Sequence, residues 1–135
     1  MVMLATFASV SVKLLLTGGA GFIGSAVVRW LMERTNWRVL NIDCLTYAGQ
    51  LASVGGAAES SRYSFLRADI RDITADPASF AALLRRHAVD RLFPFAAITS
   101  GPAREAEVPE LVIQVNLLGF IAQLRAARDA GVRRI

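Results

Sequence analysis

Residues 13–30 read KLLLTGGAGFIGSAVVRW. A short apolar run breaks into glycines, and residues at helical spacing follow at once. Leu14, Leu15 and Leu16 show no polar alternation, the pattern of a strand buried on both faces. Gly18, Gly21 and Gly24 are spaced Gly-x-x-Gly-x-x-Gly. Ile23, Ala26, Val27, Trp30 and Leu31 then fall on one face of a helix. A strand, a bare turn and a helix N-terminus in that order bring free backbone N–H groups and the positive end of a helix dipole to one point, where phosphate charge is held. In such a turn Gly18 permits the tight bend, Gly21 lets a pyrophosphate approach the backbone, and Gly24 lets helix and strand pack closely.

The rest of the chain alternates in the same way. RVLNID (38–43) reads as a second strand, ending at Asp43, nineteen residues after Gly24. A carboxylate there accepts both ribose hydroxyls of adenosine and repels a 2′-phosphate, which favours NAD over NADP. Residues 44–61, with Gly49, Gly55 and Gly56, form a long connection. YSFLRAD (63–69) is a third strand. Asp76-Pro77 supplies an N-cap and a first-turn proline for a helix striped by Phe80, Leu83, Leu84 and His87. RLFPFAA (91–97) is a fourth strand. A long helix from about Pro109 to Ala130 stops at Gly131, and RRI opens a fifth strand. This order predicts an α/β, Rossmann-type doubly wound parallel sheet, truncated at the start of the fifth strand. Residues 1–12 read as an N-terminal extension or a start codon assigned too early. Residues 13–135 read as an incomplete NAD-binding Rossmann domain, with the substrate domain absent.

Composition narrows the class. Hydrophobic residues make up 54% of the chain, enough to fold. The formal net charge is +4 and almost entirely arginine, Lys13 being the sole lysine; the arginines are scattered apart from Arg85-Arg86 and Arg133-Arg134, so no nucleic-acid stripe is expected. A single cysteine, Cys44, excludes an internal disulfide and suits a reducing, cytoplasmic compartment. Cys44 reads as a bystander rather than a redox thiol. No apolar run of about 18 residues escapes the glycines, so no membrane span is expected. His87, the sole histidine, makes no metal site by itself.

TGGAGFIG with the downstream NID resembles the extended short-chain dehydrogenase/reductase (NAD-dependent epimerase/dehydratase) family, which handles nucleotide-sugars. NIDCLTYAG (41–49) is similar to the dTDP-glucose 4,6-dehydratases, in which such a segment, here with Leu45 and Thr46, wraps the adenosine ribose. RADI (67–70) resembles that family's adenine contact, which implies Asp69 near the base amine and Ile70 against the ring. VNLLG (115–119) matches the start of its fourth long helix, which implies that Asn116 helps order a proton-relay water. The resemblance covers roughly residues 13–135 and implies an NAD site of Gly18, Gly21, Phe22, Ile23, Gly24, Asp43, Leu45, Thr46, Asp69, Ile70, Ala96, Ala97, Thr99 and Asn116. For Thr99, and for Ser100 beside it, a contact to the nicotinamide ribose and a plain loop hydroxyl both remain open.

Three departures limit what carries over. FPFAA puts Pro94 where the family's fourth strand carries a histidine, so the strand is locally disturbed or no N–H donor is needed at that position. AAITSGPAREAE (96–107) replaces the dehydratases' AAESHVDRS substrate loop and is closer to epimerase relatives. The family's acid–base pair, Tyr-x-x-x-Lys, is missing: Leu51 follows Tyr47 and Arg67 follows Tyr63 at that spacing. No catalytic residue is therefore assigned. The implied function is the NAD-binding half of a nucleotide-sugar 4,6-dehydratase, with hydride transfer at sugar C4 in the full enzyme. The alternatives are another NAD-dependent sugar-nucleotide epimerase, a non-catalytic NAD-binding module, or a degraded gene product. The implied partner is a nucleotide-sugar, with no nucleic acid and no membrane. The apolar 109–130 helix reads equally as a homodimer contact or as a face covered by further parts of the fold.

Overall fold

The computed structural model describes residues 11–99 and 101–135, so most of the expected N-terminal extension, and Ser100, lie outside the described residues. Strands β1 (Lys13–Thr17), β2 (Arg38–Asp43), β3 (Tyr63–Arg67) and β4 (Arg91–Pro94) form one parallel sheet in the order β3-β2-β1-β4. Strand order reverses between β1 and β4, and ligands of such sheets bind outside the carboxyl ends of the strands at that reversal.

The leucine run of β1 serves both layers. Leu14 and Leu16 pack with Val28 and Leu31 of α1 (Phe22–Arg34) and with Val39, Val54 and Tyr63. Leu15 faces the other way, into Ile42, Ile70, Phe80, Leu84, Leu92 and Ala126. That second layer is built by α2 (Ile70–Ala75), α3 (Pro77–Arg86) and α5 (Pro109–Asp129). A strand covered on both faces has no polar side to show, hence the unbroken apolar run.

Several sequence expectations are corrected. α1 is rotated relative to the predicted stripe: Gly24, Ser25, Val28 and Leu31 are buried, whereas Ile23 is 66% and Trp30 58% exposed. The cause is Gly24, which must face the β1 turn because a Cβ on it would stand 2.2 Å from the Gly18 carbonyl oxygen. Trp37, by contrast, is half-buried with the Arg91 guanidinium 4.6 Å over its ring. β3 stops at Arg67, because Asp69 caps α2, accepting the Arg71 N–H at 2.9 Å. β4 stops at Pro94 rather than Ala97, and α4 (Pro102–Glu107) lies in what reads as loop.

Pro94 itself is placed without cost to the ladder. The Phe95 N–H donates to Thr17 in β1, while the Leu92 N–H points the other way, to Arg134. By alternation the Pro94 nitrogen faces away from β1, so no β1 hydrogen bond is lost. The Leu92 bond, the Arg133 N–H donated to the Asp90 carbonyl at 3.2 Å and an isolated Arg91–Arg134 bridge are what the described residues show of the expected fifth strand.

α5 ends at the predicted glycine, with Gly131 at φ 76°. Its middle, Ile113–Gly119, is wound as a π-helix. At mean hydropathy 1.2, α5 is long and apolar enough by length and composition to cross a membrane, which the sequence reading did not expect. Here it forms a layer over the sheet, with Ala122, Gln123, Ala126 and Ala127 buried.

Candidate functional site

The turn after β1 is shaped by side chains of β2. Asn41, fully buried, accepts the Gly19 N–H at 3.0 Å and donates to the Tyr63 hydroxyl at 2.9 Å. Asp43 accepts the Ala20 N–H at 2.9 Å through one oxygen and the Leu45 N–H at 2.8 Å through the other. The glycine turn and the β2 loop are thus held to one carboxylate, and Leu45 is kept in the left-handed region at φ 57°. Sequence reasoning missed Asn41, and it assigned Asp43 a ligand role without this structural one.

Glycine is needed unequally along the turn. A Cβ would lie 2.6 Å from the Ala96 nitrogen at Gly18, 2.2 Å from Asn41 Oδ1 at Gly19, and 2.2 Å from the Gly18 oxygen at Gly24. Gly18 also has φ 76°. At Gly21 the sole neighbour within contact range is the Gly18 oxygen at 3.3 Å. Gly21 is the N-cap of α1 and makes no side-chain cap, so the first-turn N–H groups of α1 face outward.

They face a cleft of about 550 Å³ at the carboxyl ends of the strands. One wall is the glycine turn with Phe22 and Ile23, which are 93% and 66% exposed. A second wall brings Asp43 and Thr46 beside Asp69 and Ile70. The third is the loop after β4, with Ala96, Ala97 and Thr99. Two expected residues do not line the cleft, Leu45 and Asn116. Leu45 serves through its backbone, as above. Asn116 grips the third wall from behind: its Oδ1 accepts the Ile98 N–H at 2.8 Å and its Nδ2 donates to the Ile98 carbonyl at 2.9 Å. Both polar atoms of the Asn116 side chain are thus engaged with the backbone of the loop after β4. The same loop is approached from β1 by Thr17, whose hydroxyl donates to buried Gln123 at 2.8 Å and lies 3.4 Å from the Ala96 nitrogen.

Cys44 and Gly49, both within the 41–49 segment expected around the ribose, also line the cleft, as do Arg71, Leu111 and Val115, which sequence reasoning did not place there. Arg71 forms an ion pair with Asp69 at 2.6 Å, and that hydrogen bond holds the Asp69 carboxyl below its ordinary range. Burial pushes the Cys44 thiol up, and the neighbouring Asp69 and Asp43 carboxylates push it the same way. Cys44 is thus a poor nucleophile at neutral pH. Among the described residues no three His, Cys, Asp or Glu side chains gather to hold a metal.

A bare turn at a helix N-terminus, an acid at the end of the second strand and the loop after the fourth strand share one cleft at the carboxyl ends of the strands. The sequence profile of the NAD dependent epimerase/dehydratase family matches residues 14–135. The dTDP-glucose 4,6-dehydratase of Escherichia coli is 44% identical over 117 residues, covering 87% of this chain and 31% of that enzyme. The one from Neisseria meningitidis serogroup B is 40% identical over 116 residues, covering 86% and 31%. Among solved structures, the dTDP-glucose 4,6-dehydratase DesIV of Streptomyces venezuelae, with NAD bound, superposes with a TM-score of 0.79 at 37% identity, over 90% of this chain and 37% of that one. The UDP-glucose-4-epimerase of Stenotrophomonas maltophila, also with NAD, gives 0.73 at 32% identity, over 90% and 34%. The chain spans about a third of the length of the curated relatives it matches. The chain belongs to the NAD dependent epimerase/dehydratase family.

Proposed function

We propose that residues 13–135 are the NAD-binding part of a nucleotide-sugar 4,6-dehydratase of the dTDP-glucose type. The observation that supports this most is Gly21. A Cβ would meet backbone at under 3.0 Å at positions 18 and 24 and the buried Asn41 and Leu16 side chains at 19, whereas at 21 the one close neighbour is 3.3 Å away, so the fold demands glycine least there. A glycine with little structural reason, at the mouth of a helix N-terminus in a cleft, suits a backbone kept bare for the phosphates of a ligand.

The residues divide the ligand among them. The first-turn amides of α1, from Phe22, Ile23 and Gly24, hold the pyrophosphate. Asp43, with Thr46 and the Leu45 backbone, takes the adenosine ribose. Asp69 and Ile70 flank the adenine. Ala96, Ala97 and Thr99 bound the nicotinamide end, with Asn116 fixing their loop through Ile98. NAD, when bound, supplies a ring that accepts and returns hydride. In the whole protein the nucleotide-sugar would be oxidised at C4, undergo elimination, and receive the hydride back. The sequence given contains no Tyr-x-x-x-Lys, so by itself it supplies cofactor binding rather than acid–base chemistry.

A second reading, a sugar-nucleotide epimerase, draws on the 96–107 loop, which departs from the dehydratase pattern, and on the likeness to the Stenotrophomonas epimerase. Calorimetric titration with NAD, NADP, dTDP-glucose and UDP-glucose tests both. Binding of NAD in preference to NADP is expected. No saturable binding of NAD would overturn the proposal, and a preference for the uridine sugar would favour the epimerase reading.

A further inference from the structure

The arginines that look scattered in sequence do not stay so. A second pocket, of about 240 Å³, opens at the amino ends of the strands, opposite the cofactor cleft, and the two share no lining residue. Its lining brings together Lys13 at the start of β1, Arg38 at the start of β2, Arg62 just before β3, and Arg86 and His87 at the end of α3. Ser61 and Ser64 add hydroxyl groups, and no carboxylate lines it.

Local duties account for part of this charge. Arg62 donates to the carbonyls of Met32 at 2.7 Å, Thr35 at 2.6 Å and Trp37 at 3.2 Å, closing the C-terminus of α1. Those acceptors carry no formal charge and offer only the partial negative charge of a helix C-terminus. Arg86 suits the negative end of the α3 dipole. The Asp90 carboxylate, next to Val89 in the wall, is turned to the backbone N–H of Lys13 at 3.0 Å. Lys13 and Arg38 have no such account, and among the described residues none of the four permanent cations is ion-paired with a carboxylate.

A concave site lined by charge of one sign focuses its field on a counter-ion. Guanidinium forks and serine hydroxyls are donors matched to phosphate oxygens. We infer that this pocket binds a phosphate-type oxyanion of the size of inorganic phosphate or pyrophosphate, at a site separate from the cofactor cleft. The inference stands independently of the cofactor reading.

The test is titration of the chain with pyrophosphate and with phosphate, by calorimetry and ³¹P NMR, at about 0.15 M salt to screen diffuse attraction. It is run with and without saturating NAD, on the wild type and on Arg38→Ala, Arg86→Ala and the double variant. Both side chains are exposed, so the fold should persist, and unchanged NAD affinity and melting temperature check that. Pyrophosphate should bind the wild type in the presence of NAD. Each substitution should weaken it roughly tenfold, the cost of one charge-assisted hydrogen bond. Wild-type affinity in the double variant would overturn the inference. So would displacement of pyrophosphate by NAD, which would place it in the cofactor cleft, or loss of binding at that salt. Binding of a single-stranded oligonucleotide through these arginines, with none of pyrophosphate, would overturn it in favour of a polymeric partner. Should NAD fail to bind, the proposed function falls while the arginine variants still decide this site.

Discussion

Asn116 holds both backbone groups of Ile98, accepting its N–H at 2.8 Å and donating to its carbonyl at 2.9 Å. One side chain in the π-helical stretch of α5 thereby fixes the loop that follows β4. Asn116→Ala removes both bonds from an exposed setting, where each is worth about 0.5–1.5 kcal/mol. The expected outcome is a chain that still folds, with the 95–99 loop loosened and NAD bound several-fold more weakly. Amide exchange at Ile98 should rise by a larger factor than exchange in β1. Unchanged exchange at Ile98 would show that the clamp does not hold the loop.

Two glycines less than one helical turn apart give opposite predictions. Gly24→Ala places a methyl 2.2 Å from the Gly18 oxygen, an atom of fixed backbone, so the α1–β1 contact must open. A loss of stability of several kcal/mol, with poor expression, is expected. Gly21→Ala meets the same oxygen at 3.3 Å, a tight contact relieved by a shift of a few tenths of an ångström at the open helix mouth, and should melt within about 1 kcal/mol of wild type. Its methyl would nonetheless stand where phosphate approaches, and NAD affinity should fall by roughly tenfold or more, since one lost phosphate hydrogen bond is worth that much. Calorimetry and thermal melts on the two variants separate the roles. Intact NAD binding by Gly21→Ala would remove the main support for the proposed function.

How much of this was legible in the sequence depends on where each cause sits. The β1 leucines, the turn glycines and Asp43 were readable because strand, turn and helix are contiguous and their reasons are local. The rotation of α1 was not, since both candidate faces carry apolar residues and the choice is made by contact between Gly24 and Gly18. Asn41 was missed because its partners, the Gly19 N–H and the Tyr63 hydroxyl, each lie 22 residues away. α2 was missed because a six-residue helix is too short to show a period, though its Asp69 cap was in view. The basic pocket was invisible because parallel strands gather their first residues from distant parts of the chain.

Asp43 has two duties, and its isosteric variant should show both. In Asp43→Asn one oxygen becomes an amide, so either the Ala20 or the Leu45 N–H loses its acceptor. That costs about 1–3 kcal/mol of stability for a buried donor left unpaired. The repulsion of a 2′-phosphate also falls. NAD should therefore bind more weakly while NADP binds as well as before or better, narrowing the preference. Equal affinity of the native chain for both cofactors would show that Asp43 does not discriminate.

The Arg71–Asp69 pair gives a pH signature. The hydrogen bond from Arg71 lowers the folded-state pKa of Asp69 below its unfolded value of about 3.9. A depressed carboxyl stabilises the fold above that unfolded value and loses its contribution as pH falls through the folded one. With the two side chains 23% and 50% exposed, solvent limits the effect to about 0.2–1 kcal/mol. Urea melts should show Arg71→Ala less stable than wild type at pH 7, with the gap closing below about pH 4, where the wild type starts to lose the pair. A gap independent of pH would mean that Arg71 acts by packing alone.

The last prediction concerns the outer face of α5. Ile113, Leu117, Leu118 and Phe120 are 53, 52, 43 and 39% exposed, on neighbouring turns of one helix. Fully burying one such side chain is worth about 1.5–3 kcal/mol, so four that are roughly half exposed leave several kcal/mol of apolar free energy unused. A contiguous patch of this kind marks a contact surface. The chain should therefore self-associate through this face, seen as a sedimentation coefficient that rises with protein concentration. Ile113→Lys with Leu117→Lys should abolish the rise, since two charges placed in the contact would have to be desolvated. Neither residue reaches the cofactor cleft, so NAD affinity should be unchanged. A native chain that sediments as a monomer at every concentration would assign the face instead to cover by further parts of the same polypeptide. Association that survives the double substitution would move the contact off this helix face.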